Sequence, residues 1–322
     1  MSLQTEFENA PKEFAGKHAF YPADQATGYA PVNETVIGGG RFKGFRHTVV
    51  NQAQKVARVD LAKGADRVRG EVCLVNPSLN GGVGLPVYFL PWDHRGAAVE
   101  LTIPNRTPTL ANTVHPRFFF TAVLSGCSIM FKGTAQNPTI YHCGTGGTGH
   151  GETPTTGNAN DFFVDLLTRC NDVHLGTVGA IASQVRSGQY MVPNARSQDA
   201  GLNRIATLET EVDTAMKALY KNRLKMVATS SWGVIFGVRA ANTRDWKFYM
   251  QTNVTIQYFD MKEVLDTVVK TRLCGLIKKT TQVKTMQQGD LKSIAKPMEL
   301  TKVFPGVGVA KATSTWKSLR GF

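Results

Sequence analysis

Between about residues 47 and 143 the chain advances in short apolar stretches separated by turn residues. Segments 71–75, 86–92, 97–103, 118–124, 128–131 and 139–142 are rich in Val, Ile, Leu and aromatic residues. Asn80-Gly81-Gly82, Asp93-His94-Arg95-Gly96 and Pro104-Asn105-Arg106 lie between them. Apolar runs of that length bounded by Gly, Pro and Asn predict strands joined by turns. The period changes further on. Segment 160–170 places Phe162, Phe163, Leu166 and Leu167 on one helical face, and 197–222 spaces Leu202, Ile205, Leu208, Val212, Met216 and Leu219 at three- and four-residue intervals. Both predict helices packed on a sheet. Strands return at 225–228, 233–238 and 246–258, the last with Phe248, Met250 and Val254 facing inward. Segment 261–273 then predicts a helix with Val264, Leu265, Val268 and Val269 as its apolar face. The pattern shows no internal repeat and predicts an α+β fold, a mixed β-sandwich core with flanking helices.

The first 45 residues break this pattern. They are polar, contain Pro11, Pro22, Pro31 and Gly38-Gly39-Gly40, and have few periodic apolar positions. They predict an extended polar arm over 1–45 that either packs on the body or stands loose, leaving one domain over 46–322 with a basic C-terminal segment. The Gly38 to Gly44 run is not a phosphate loop, because it lacks both the Gly-Lys-Ser/Thr ending and a preceding buried strand.

Composition narrows the classes. A chain of 322 residues with 42% hydrophobic content can bury a substantial core. No stretch approaches the roughly 18 apolar residues of a membrane span. The opening Met1-Ser2-Leu3-Gln4-Thr5-Glu6 lacks the basic-then-apolar order of a secretory signal, so any export is expected by another route. Net charge is +13, and the last 48 residues hold nine Lys or Arg against two acids. That segment suits an anionic membrane face or an acidic protein surface, or is a solvated surface segment. Its few aromatics, Phe304, Trp316 and Phe322, do not form a base-stacking platform, so nucleic acid is not expected as a partner. Cys73, Cys127, Cys143, Cys170 and Cys274 are odd in number and irregularly spaced, which fits free thiols rather than a disulfide framework.

Candidate chemistry concentrates in one window. Thr121-Ala122-Val123-Leu124-Ser125-Gly126-Cys127 is followed fifteen residues later by His142. A thiol and an imidazole are the minimum parts of a cysteine nucleophile, since the base lowers the thiol pKa and returns a proton to the leaving group. The strand, break and strand pattern here predicts Cys127 at the mouth of a strand-turn-strand unit, with His142 carried back beside it. Gly126 permits the tight turn that exposes a nucleophile and aims amide groups at an oxyanion. Cys143 is expected to point into the core. His142, Cys143 and His150 are the closest approach to a metal cluster, but neighbouring strand residues face opposite ways, so no metal and no cofactor are expected. Asp93-His94 is a second polar pair that turn chemistry alone explains, and Trp232 and Trp316 suit either partner contact or packing.

The Leu-Ser-Gly-Cys segment and the downstream histidine resemble the cysteine glutamine deamidases of the cytotoxic necrotizing factor and Burkholderia lethal factor type, relatives of the chemoreceptor glutamine deamidases. The match covers about 25 residues, from Thr121 to Thr145. It implies a deamidase-toxin-like fold with 46–322 as the catalytic domain, Cys127 as nucleophile and His142 as base. Thr121 would orient the imidazole, and Ser125 and Gly126 would support the oxyanion. The resemblance further implies a toxin or effector that acts inside a host cell, secreted or translocated without an N-terminal signal peptide. Its partner would be a folded host protein carrying the target glutamine, such as a Rho-type GTPase or a translation-initiation helicase. The same residue pair also serves a cysteine protease or a transglutaminase-type acyl transferase, and a non-enzymatic basic binding protein is the third reading.

Overall fold

In the computed structural model the chain is described over residues 2–30, 34–37, 43–66, 70–81, 83–93, 97–105, 116–144, 163–164, 166–167, 181–186, 189–190, 210, 214, 226–240, 243–272 and 277–305. Two helices open it, α1 (Leu3–Asn9) and α2 (Pro11–Lys17). Fourteen described strands follow: β1 (Phe20–Pro22), β2 (Glu34–Val36), β3 (Arg46–Val49), β4 (Val56–Asp66), β5 (Gly70–Ser78), β6 (Leu85–Leu90), β7 (Ala97–Thr102), β8 (Phe118–Thr121), β9 (Ser128–Gly133), β10 (Pro138–Cys143), β11 (Ser183–Val185), β12 (Met226–Arg239), β13 (Trp246–Arg272) and β14 (Ile277–Phe304).

The expected layered β core is present in coarse form, as a closed barrel packed on a second sheet, but the described residues are mostly strand, with two helices, α1 and α2. Strands β5, β14, β13, β12, β8, β6 and β4 are hydrogen-bonded in that order, and β4 pairs back to β5, which closes a seven-stranded barrel with β1 alongside β5. The second sheet runs β11-β9-β10-β7-β3-β2. Strand alternation on β8 shows how the layers meet. Phe118 and Phe120 join the cluster that holds Val59, Val75, Phe89, Val234 and Phe236, whereas Phe119 joins Leu90, Ile235, Phe248 and Met250 against Val99, Leu101, Ile129, Phe131 and Ile140 of the second sheet. A period-2 run of three phenylalanines thus serves two cores at once.

The N-terminal segment departs from the expected extended arm. Phe7, Phe14 and Phe20 are buried, and the Phe7 ring lies 4.9 Å from Phe118 and 5.6 Å from Phe120. Ser2 caps α1 by accepting the Thr5 N–H, and Pro11 starts α2, where its missing N–H costs nothing. Gln251, fully buried on β13, donates from its side-chain amide to the Ala15 and His18 carbonyls and accepts from Phe20 N–H. Each buried Phe stabilises by about 1.5–3 kcal/mol over an exposed one, so the segment packs on the body and adds to the barrel core, as two helices rather than as extended chain.

The helix predicted over 261–273 is strand over its described residues, 261–272. Its residues continue β13 and pair antiparallel with β14 from Met261↔Gln288 to Arg272↔Ile277. Thr267, Val268, Val269 and Thr271 lie opposite Gln282, Thr281, Thr280 and Lys278 in turn, and such β-branched residues lose side-chain freedom in a helix while fitting a pleated ladder. In the predicted 160–170 helix, Phe163, Val164, Leu166 and Leu167 have helical backbone, and Phe163, Leu166 and Leu167 pack on Met130, Tyr141 and Cys143. Most of 197–222 lies outside the described residues.

Candidate active site

Cys127 sits where the sequence pattern places it, at the base of a turn between two strands. β8 stops at Thr121, and the chain is held to β12 by reciprocal backbone bonds between Leu124 and Gly233. Ser125 and Gly126 are exposed, and Cys127 drops back into the core at 5% exposure. Gly126 has φ 125°, a backbone region that a side chain strongly disfavours, so the turn requires glycine.

β9 then pairs with β10 in a register that sets His142 opposite Ile129 and Cys143 opposite Ser128. Cys127 is two residues from Ile129 and packs in the same cluster, so its thiol shares the inner face of the sheet with His142. Diagonal neighbours of this kind have Cα atoms roughly 7–8 Å apart, yet the two side chains make no hydrogen bond, and the influences on each come from burial and from other groups, Ser125 and Asp24 on the thiol and Pro91 on the imidazole. Cys143, as expected, points the other way into the cluster under Phe163 and Leu167.

The pair is closed and uncharged. Burial raises the Cys127 thiol far above its ordinary range, with the Asp24 carboxylate adding in the same direction and the Ser125 backbone opposing both. Burial lowers His142 to about 3, against a small opposing influence from the Pro91 carbonyl. Neither ring nitrogen of His142 has a hydrogen-bond partner among the described residues. Pro91 therefore acts on the ring as a nearby dipole without hydrogen-bond geometry. The expected bond from His142 to Thr121 is not made. Thr121 is fully buried, and its hydroxyl accepts the Ile235 N–H at 3.1 Å, tying β8 to β12.

Two residues that the sequence reading passed over shape the site. The Trp92 ring lies tilted at 44° to the His142 ring with centroids 5.0 Å apart, and a Cβ added to Gly144 would lie 1.7 Å from that indole. Gly144 is what lets the indole settle over the imidazole. Tyr190 is buried, and its hydroxyl donates to the Cys127 carbonyl at 2.6 Å and accepts the Gly126 N–H at 3.0 Å. That amide, expected to aim at an oxyanion, is thus engaged by a phenol. Neither residue carried a spacing or motif signal. Of the other candidates, Trp232 is core, donating its indole N–H to the Phe20 carbonyl, and Asp93 is buried. His94, His150 and Trp316 lie outside the described residues.

The opposite face of the second sheet carries a separate polar group. His47 Nε2 lies 3.0 Å from Glu100 Oε2, the Thr102 hydroxyl donates to Glu100, and Lys132 donates to the Leu167 carbonyl. All but Thr102 are buried. A sheet's thickness divides them from Cys127 and His142, so they pin the helical cover rather than serve the thiol. Comparison of the sequence with protein-family models and with curated proteins finds no match.

Proposed function

We propose that the protein is a bacterial toxin or effector that deamidates a glutamine of a folded host protein, with Cys127 as nucleophile and His142 as base. The observation that carries this reading is the placement of both side chains on one sheet face, immediately beneath the exposed Ser125-Gly126 turn. A substrate loop reaching that turn displaces the Trp92 indole and admits water and amide, which removes the burial that holds both groups neutral.

The thiol proton then passes to His142, and the sulfur attacks the glutamine side-chain carbon. The tetrahedral intermediate collapses as His142 protonates departing ammonia, leaving a thioester. Water activated by His142 attacks the thioester, releasing glutamate and the free thiol. The Ser125 hydroxyl and the amides of the turn are the nearest donors to the developing oxyanion, and the Gly126 amide reaches it once the Tyr190 hydroxyl yields.

A papain-like protease sets its cysteine at a helix N-terminus. Cys127 here leads into β9, an arrangement that favours the deamidase reading over that rival. The proposal is tested by peptide mapping of host-cell proteins after exposure to wild type and to Cys127→Ser. The expected result is one glutamine converted to glutamate by wild type alone. Cleaved substrate, or conversion that persists in the variant, would overturn it.

A further inference from the structure

Beyond Tyr258 and Lys292 the β13–β14 ladder leaves the barrel. Among the described residues β12 pairs with β13 as far as Tyr258 and β14 meets β5 at Ile294↔Glu71, so 259–272 and 277–291 form a two-stranded arm with no third described strand. At about 3.3 Å per residue, the paired stretch from Met261 to Arg272 extends roughly 40 Å.

The arm has an unusual surface. Leu265 is 57% exposed, Val269 52% and Val283 40%, and Val268 is exposed with them. Leu265 and Val269 share one face of the ribbon, Val268 and Val283 the other, so apolar groups meet solvent on both sides. Charge is segregated along it. From Thr267 to Gln282 there are four Lys or Arg and no acid, while Asp260, Glu263, Asp266 and Asp290 stand at the barrel end, where Lys284 pairs with Glu263. Lys270 lies directly opposite Lys279, and Lys278 is one rung away. All three are exposed. Like charges directly opposed across a ladder destabilise it, and an anion between them reverses the sign.

We infer that this arm is a docking element for an anionic lipid surface, approached end-on, with Lys270, Lys278 and Lys279 on headgroup phosphates and carboxylates and Val268 and Val269 at the acyl boundary. Charge complementarity and two-sided apolar exposure together select this occupant. An end-on ribbon is surrounded by the interface, so both faces gain from apolar groups. A nucleic-acid groove gains from aromatic stacking, and segment 261–290 contains no Phe, Tyr or Trp. A second copy of a chain of net charge +13 brings more positive charge to the cationic end. Spanning is excluded by the same residues, because neither face is continuously apolar and the free ladder edges cannot shed water in hydrocarbon.

The test is co-sedimentation of the full chain with phosphatidylcholine vesicles, with and without a 30% molar fraction (roughly, an ordinary anionic content) of phosphatidylserine. Wild type is expected to pellet only with the anionic vesicles and to be released by high salt. The triple variant Lys270→Glu, Lys278→Glu, Lys279→Glu is expected to lose about 100-fold or more in partition, with an unchanged circular dichroism spectrum. A parallel Lys→Ala triple variant, which adds no acid, is expected to lose a smaller factor. The inference fails if anionic vesicles are not bound, or if both variants bind like wild type, which would assign binding to another basic segment. It also fails if the arm's lysines govern affinity for duplex or single-stranded nucleic acid but not for vesicles, or govern self-association instead. Cys127→Ser is expected to bind vesicles like wild type, which separates this result from the fate of the deamidase proposal.

Discussion

At the scale of single residues, the state of the Cys127–His142 pair is set by burial rather than by mutual contact. His142 has a folded pKa near 3 against about 6.5 when unfolded, so between those values the unfolded chain takes up a proton that the folded chain refuses. Its contribution to stability is complete above pH 6.5 and is lost as pH falls through that window, at up to about 1.4 kcal/mol per pH unit. Denaturant titrations at pH 7.5 and pH 5 are expected to differ by roughly 2 kcal/mol more for wild type than for His142→Gln. Parallel losses in the two proteins would show that the imidazole is hydrated in solution. Trp92 is partly buried against the cluster that holds Cys127 and lies beside the imidazole. Trp92→Leu keeps an apolar cover but cannot reach across Gly144, and is expected to raise alkylation of Cys127 by iodoacetamide on the order of tenfold, scored on the Cys127 peptide. An unchanged rate would mean that other groups bar the thiol.

Among elements, legibility followed how local the deciding physics was. The strands around Cys127 could be read because Phe118-Phe119-Phe120, Ser128 to Phe131 and Thr139 to His142 are short apolar runs between turn residues, and their in-and-out alternation is a local property. The turn could be read from Gly126. The closure of β4 on β5, the two-way Leu124–Gly233 bridge and the Tyr190 clamp join residues distant in sequence, and no local period encodes them. Segment 261–273 misled for a different reason. Val264, Leu265, Val268 and Val269 satisfy a three-four spacing, yet they also supply two apolar positions to each face of a ribbon that stands in solvent. Spacing assumes one buried face, and a projecting arm has none. The N-terminal residues misled in the opposite sense, because Phe7, Phe14 and Phe20 fill a cavity built entirely by later strands. The Thr121 hydroxyl had two possible uses, and the sequence could not show that Ile235 N–H would claim it.

For the whole molecule, the barrel and the arm share two strands but not a core. The closing contacts all lie on the barrel side of Phe259↔Leu291, where β14 meets β5, β12 meets β13 and Gln251 is anchored to α2. A register shift between Phe259 and Met261 marks the boundary, and a two-stranded ribbon with exposed faces adds little stability of its own. Deletion of 261–288 joins Asp260 to Gly289 and leaves Asp260-Gly289-Asp290 as a three-residue hairpin loop, a length that antiparallel strands accept. The shortened chain is therefore expected to fold with a Tm within about 5 °C of wild type, because a change of about 1 kcal/mol shifts a domain of this size by only a few degrees. It is also expected to retain the slow Cys127 alkylation of the sealed site and to lose binding to anionic vesicles. If instead the barrel melts far earlier, or Cys127 becomes readily alkylated, the arm is part of the fold's closure. The exposed valines and opposed lysines would then be read as structure, with the division between a barrel body and a separable arm withdrawn.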